Sequence, residues 1–199
     1  MYIIDISKEV FSSPVYKGDP EPVYEWITKI EYGEEYDLSC IKMCTHTGTH
    51  IDAPAHYIEG GATIDEIPLS KFYGDCTVVT ISGVLTGEDM ERILPRCKKK
   101  LILKGEGKGM LSPSAAIVLA DYKLDLVGID SMCICSMEDN YTVHRTLLLE
   151  DIVILECLDL TDIEDGDYKL SAFPIKLAGL EAAPVRAMLF KQEYGIWCN

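Results

Sequence analysis

The chain has 199 residues, 48% of them hydrophobic and 26% charged, with eight cysteines and four histidines. That length suits one domain able to bury roughly 70% of its unfolded surface, and the composition excludes disordered, collagen-like and low-complexity classes. The 33 acidic residues against 18 basic ones leave a net charge of -15, which argues against a nucleic-acid binder and against an anionic membrane surface as partner.

Along the chain, short strand patterns dominate. Met1–Val10 lacks the basic-then-apolar pattern of a signal peptide, and Tyr2–Ile6 reads as a strand. Ser12–Pro22, with three prolines, reads as a loop. Val23–Ile30 and Tyr36–Cys44 are rich in β-branched and aromatic residues and read as strands. Cys76–Ile81 and Leu101–Leu103 are further strands. Thr86–Leu94 reads as a helix with Thr86 as N-cap and Asp89 three positions on. Ser112-Pro113 opens a second helix, running to about Asp121. Leu124–Asp130 and Asp151–Leu158 are apolar runs of strand length, expected to be buried. Tyr141–Leu149 between them is helical or irregular. Tyr168–Phe173 and Val185–Phe190 close the chain as strands. This order predicts a single α/β domain over residues 1–199 with a mixed β-sheet.

The longest apolar stretch, Ile152–Leu158, is interrupted by Glu156, and nothing approaches the ~18 residues of a membrane span. The cysteines, at 40, 44, 76, 97, 133, 135, 157 and 198, include no Cys-x-x-Cys pair. They are expected to be reduced thiols of a soluble cytoplasmic protein, and Cys133-Ile-Cys135 would put two thiols on one face if extended.

Three of the four histidines fall in His46-Thr-Gly-Thr-His50-Ile-Asp52-Ala-Pro-Ala-His56. The i, i+4 spacing of His46 and His50 suits a zinc-binding helix, but Thr47, Gly48, Thr49 and Pro54 disfavour one. An extended segment instead points His46, His50 and Asp52 the same way, with Thr47, Thr49 and Ile51 facing the opposite layer. Two imidazoles and a carboxylate on one face suit a divalent transition metal. Gly48 marks a close backbone approach or an unusual φ. Glu156 stands in an otherwise apolar strand and needs a partner: a metal, a base such as Arg145, or a network of hydrogen-bond donors. With His144, all four histidines can converge on one site. Asp130, at a strand end, is a further candidate for the site or for a structural role.

These residues resemble the signature of the metal-dependent cyclase family, which includes the bacterial kynurenine formamidases and the isatin hydrolases. The resemblance extends over nearly the whole chain, through Asp5-Ile-Ser7, Gly18-Asp19, Asp65-Glu-Ile-Pro68, Leu111-Ser-Pro113, Val127-Gly-Ile-Asp130, His144-Arg145, Ile154-Leu-Glu156 and Ala183-Pro-Val-Arg186. It implies a swivelling β/β/α fold, a homodimer or higher homo-oligomer, and one or two divalent metals, zinc or manganese. It implies His46, His50, Asp52, His144 and Glu156 as metal ligands, with Asp52 and Glu156 shared, and His56 as general acid/base. In the formamidases a tryptophan of the first loop packs on the aromatic substrate; here Tyr16-Lys17-Gly18-Asp19 offers Tyr16. The implied activity is hydrolysis of an amide or formamide of a small aromatic metabolite, N-formylkynurenine being the nearest family substrate. A cyclase or lyase acting on a carbonyl metabolite and a non-catalytic metal-binding homologue are the alternatives.

Overall fold

The structure is a computed structural model and describes residues 2–191. The first strands are β1 (Tyr2–Asp5), β2 (Val23–Thr28), β3 (Leu38–Lys42) and β4 (His50–Asp52). They are followed by β5 (Tyr73–Thr80), β6 (Val84–Leu85), helix α1 (Gly87–Ile93), β7 (Lys100–Lys104) and β8 (Met110–Leu111). Helix α2 (Pro113–Tyr122) leads to β9 (Leu126–Ile129), and α3 (Asn140–Leu149) leads to β10 (Val153–Glu156). The last strands are β11 (Gly166–Ser171), β12 (Ala182–Pro184) and β13 (Met188–Lys191).

Nine of these strands form one mixed sheet in the order β1-β13-β11-β5-β7-β9-β10-β4-β12. The centre, β5-β7-β9-β10, is parallel, and the strands on either side of it run antiparallel. This is the expected α/β architecture with a mixed sheet. Parallel strands are buried on both faces, and β9 and β10 are buried at every residue. Alternate side chains divide between two cores. Ile102, Leu126, Val153 and Leu155 enter one, together with Ile6 and Phe72. Leu101, Leu103, Val127 and Ile154 enter the other, under Met90 of α1, Leu119 of α2 and Leu147 of α3. Gly128 permits the close packing between strands: a Cβ there would stand 2.6 Å from Ile102 Cδ1.

The helix starts are where local chemistry placed them. Thr86 Oγ1 accepts from Asp89 N at 3.3 Å while Asp89 Oδ2 accepts from Thr86 N at 2.8 Å, a reciprocal capping box. Ser112 Oγ accepts from Ala115 N at 3.3 Å, and Pro113 occupies the first helical position. Tyr141–Leu149, left between helical and irregular by its sequence, lies within α3.

One expectation needs correcting, and two features lay outside what the sequence predicted. The segment from His46 to Asp52 is extended only over β4; residues 45 and 46 form a turn, and Gly48 bends the chain at φ +67°. β12 was not anticipated, because three residues ending in proline carry no strand pattern; its partner β4 defines it. Cys133 and Cys135 lie on a loop of bends rather than on an extended strand. Among the described residues seven cysteines are free thiols; Cys198 lies outside them.

Candidate metal centre

β4 inserts between β10 and β12, and the register places His50 opposite Glu156 and Asp52 opposite Ile154. Directly opposed residues share a face, so His50, Asp52 and Glu156 all point toward the helix side. Ile51 points into the other core. The site sits where β10 ends, at the carboxyl end of a parallel strand, a common position for sites in α/β sheets. α3 brings His144 over it, with Val143 and Leu147 of the same helix packed in the helix-side core.

The turn before β4 is tied down by side chains on threonines. Thr49 Oγ1 accepts from Lys8 N at 2.8 Å and donates to Cys157 O at 2.6 Å. Thr47 Oγ1 accepts from Cys44 N at 3.1 Å. His46 therefore reaches the site from a turn, and its Nδ1 lies 3.0 Å from Asp52 Oδ1.

Two histidines have their tautomers set by backbone carbonyls. His50 Nδ1 is 2.8 Å from Gly48 O, and His144 Nδ1 is 2.9 Å from Asn140 O. A carbonyl only accepts, so each Nδ1 carries the proton and each Nε2 faces inward. His50 Nε2 is 3.4 Å from Asp52 Oδ1 and 3.6 Å from Glu156 Oε2. His144 Nε2 is 3.5 Å from Glu156 Oε1 and 3.7 Å from Asp52 Oδ2. A backbone carbonyl behind a ligating imidazole is the usual support of a metal-binding histidine.

Glu156 Oε1 accepts from the buried Ile134 N at 2.7 Å. Arg145, the base considered as its partner, instead donates to Tyr57 O at 3.2 Å. His50 Nε2 and both carboxylate oxygens of Asp52 are buried with no hydrogen-bond partner. Orphaned polar atoms of this kind are costly unless something else pairs with them. Three convergent ligand atoms, one each from His50, Asp52 and Glu156, lie within 4.8 Å of one another, and a second such group comprises His46, Asp52 and His56. Nitrogen and carboxylate donors in this arrangement fit a divalent transition metal.

The charges in the cluster respond to the same demand. Burial works against a charged imidazole at His50, but the Asp52 and Glu156 carboxylates override it and raise its pKa to about 9. At His144 burial is likewise outweighed by Glu156 and Asp52, again giving about 9. Burial opposes ionisation of Asp52, yet His46 and His50 hold it well below the usual carboxylate range. The two carboxylates thus attract positive charge into the site. His56 differs: burial, reinforced by His46 and His144 against the pull of Asp52 and Glu156, lowers its pKa from 6.5.

Seven of the eight candidate site residues read from the sequence, His46, His50, Asp52, His56, His144, Glu156 and Tyr16, line one cavity of about 230 Å³. Asp130 does not. Its carboxylate accepts from Gly105 N at 2.9 and 3.0 Å and faces a separate cavity, which is a structural role. Residues not singled out also belong here. Tyr57 stacks on His144 with ring centroids 4.9 Å apart, Glu181 Oε1 is 3.4 Å from His46 Nε2, and Asn140 and Cys133 line the cavity. Glu181 arrives through β12, and nothing in the local sequence marks it.

The family model named Cyclase matches residues 4–106. Kynurenine formamidase from Salinibacter ruber is 34% identical over 206 residues, covering 95% of this chain and 97% of its own. A solved structure described as a predicted metal-dependent hydrolase from Bacillus stearothermophilus superimposes with a TM-score of 0.83 at 32% identity, covering 96% of this chain and 98% of that one. Isatin hydrolase A from Labrenzia aggregata shares the fold, with a TM-score of 0.78 at 22% identity over 96% of this chain and 94% of its own. Among the described residues no helix is long and apolar enough to cross a membrane. With its length matched end to end at this identity, the chain belongs to the cyclase family and is a hydrolase of its metal-dependent kind.

Proposed function

We propose that the chain hydrolyses the amide or formamide bond of a small aromatic metabolite, as an arylformamidase acting in tryptophan catabolism, with N-formylkynurenine as the first substrate to test. The observation that carries the reading is the set of buried, unpartnered ligand atoms on Asp52 and His50 beside a cavity that also holds His56. The name and full-length identity of the Salinibacter ruber relative support the substrate class.

His46, His50, Asp52, His144 and Glu156 would hold one or two divalent ions, zinc or manganese, with Asp52 and Glu156 as the ligands that two ions would share. When bound, such ions lower the pKa of a water and polarise a carbonyl. The remaining work falls to the chain's own groups. His56, neutral at pH 7, accepts the proton of the attacking water on an imidazole nitrogen and returns it to the leaving nitrogen. Tyr16 and Tyr57 line the cavity and give it an aromatic wall suited to an aromatic substrate. A reducing, cytoplasmic setting suits a chain of eight cysteines with no Cys-x-x-Cys pair. The single catalytic domain spans 1–199 and works as a homodimer, which the exposed β2–β3 arm supports.

The test is purification without added metal, metal analysis, and assay on N-formylkynurenine and isatin in heavy-oxygen water. One to two equivalents of metal, loss of turnover on chelation, and solvent oxygen in the product are expected. A metal-free preparation active at full rate overturns the reading, and a product without solvent oxygen favours the lyase alternative.

A further inference from the structure

Three histidines of the cluster lean on an oxygen through Nδ1: His46 on Asp52, His50 and His144 on backbone carbonyls. No hydrogen bond holds the His56 ring among the described residues; what touches it is aromatic. The His46 ring lies 4.3 Å away, centroid to centroid, at 38°, and the Tyr57 ring stands nearly perpendicular at 4.5 Å and 80°. A nitrogen of His56 lies within 4.8 Å of ligand atoms of His46 and Asp52, so the direction of its ring decides what that nitrogen meets.

Tyr57 is itself clamped to α3. Its ring stacks on His144 at 4.9 Å and 29°, and Tyr141 packs across it at 6.1 Å and 66°. Both are arrangements that aromatic rings prefer. Arg145 Nη1 donates to Tyr57 O at 3.2 Å and lies over the Tyr141 ring, 5.8 Å from its centroid. Tyr57 N donates to Pro54 O at 3.2 Å, which closes the turn Pro54–His56 that carries the base. Tyr141, His144 and Arg145 stand at i, i+3 and i+4, one face of the helix, and all three grip the residue next to His56. The Tyr57 ring also packs against the helix-side core.

We propose that Tyr57 is the positioning residue of His56: its ring, fixed to α3, confines the His56 imidazole to one orientation toward the metal cluster. A general base acts only where its nitrogen meets the proton it takes, and a misplacement of about 1 Å costs about 10²-fold in rate. The proposal rests on the hydrolase reading above, with His56 as base, and adds what aims that base.

The test joins kinetics on N-formylkynurenine at saturating zinc with NMR of the zinc-loaded chain carrying ¹³C-labelled histidine. Tyr57→Leu, which keeps an apolar side chain and loses the ring, is expected to lower kcat about tenfold or more with KM moved by less than about twofold. Tyr57→Phe restores the ring and recovers most of kcat. In a His56→Ala background Tyr57→Leu should cost less than about twofold further, because the group it acts through is gone. An equal loss in both backgrounds, a loss confined to KM, or a loss that added zinc removes overturns the proposal. The NMR readout needs no turnover. The His56 Cε1–H signal, assigned by its disappearance in His56→Ala, should be single and sharp in the wild type and in Tyr57→Phe. In Tyr57→Leu it should broaden or split while the carbonyl-held His50 signal stays single. A His56 signal equally sharp in Tyr57→Leu overturns the proposal. So does a split signal in the wild type, which decides even where the variant fails to fold. A wild type without turnover overturns the formamidase reading alone, and the histidine spectrum then decides the proposal by itself.

Discussion

Whether an imidazole in this cluster binds a cation or moves a proton depends on what its second nitrogen touches. His50 and His144 each commit Nδ1 to a backbone carbonyl, which leaves Nε2 as the candidate ligand atom. His56 makes no such bond among the described residues, and its ring stands 4.3 Å from that of His46. His56→Ala is therefore expected to retain its metal and to lose about 10²–10⁴-fold in kcat, checked by metal analysis beside steady-state kinetics. Loss of metal would make it a ligand. Because burial holds the His56 pKa below 6.5, the base form is present at neutral pH. The acid limb of kcat/KM should fall below pH 6.5, and a limb above that value contradicts the assignment. Glu156 has two separable jobs, its charge and its bond to Ile134 N. Glu156→Ala leaves that buried donor unpaired and should cost about 1–3 kcal/mol of stability along with metal. Glu156→Gln keeps an acceptor, so metal affinity should fall while the urea midpoint moves much less.

At the level of elements, local signals and pairing divide the labour. α1 is announced by its own residues, since a threonine and an aspartate three apart satisfy each other's backbone donors. Thr86→Ala should cost about 1 kcal/mol, read from chemical denaturation. The partner carboxylate makes this cap dependent on pH. Hydrogen bonds from Thr86 lower the Asp89 pKa from 3.8, so its contribution is present above the unfolded value and is lost as pH falls through the folded one. The stability gap between wild type and Asp89→Asn should close as pH drops below 3.8, and a gap that stays constant into acid would exclude the charge as its source. β4 is the opposite case. Three residues cannot specify a strand by pattern; they are one because β10 and β12 bond to them on both sides. That pairing, rather than the strand parity that led from His46 to Asp52, aligns His50 with Glu156.

On the scale of the whole molecule, the β2–β3 hairpin stands apart from the nine-stranded sheet. Tyr24, Trp26, Ile27, Leu38 and Ile41 on it are each 46–56% exposed. A lone hairpin is marginal in water, and an exposed apolar surface of this kind is what the proposed homo-oligomer would cover. In sedimentation velocity the chain should run as a dimer or larger, and Trp26→Asp with Ile41→Asp should run as a monomer; a monomeric wild type removes the arm's role. Most of the candidate site was legible from residues alone. Histidines are scarce in this chain, and a carboxylate in an apolar strand is expensive to bury unpaired, so His46, His50, Asp52, His56 and Glu156 stood out wherever the chain placed them. The buried strands and two capped helices were legible for the same local reason, periodicity and cap chemistry acting over a few residues. What only the tertiary structure decided is which groups meet. Glu181 reaches His46 from beside an edge strand, 135 residues downstream in the chain, Asp130 turns to Gly105 instead of the cavity, and Cys133 and Cys135 arrive because Ile134 N between them is held by Glu156. Those contacts depend on sheet register and loop path, set by long-range hydrogen bonds and packing that no short window of sequence contains.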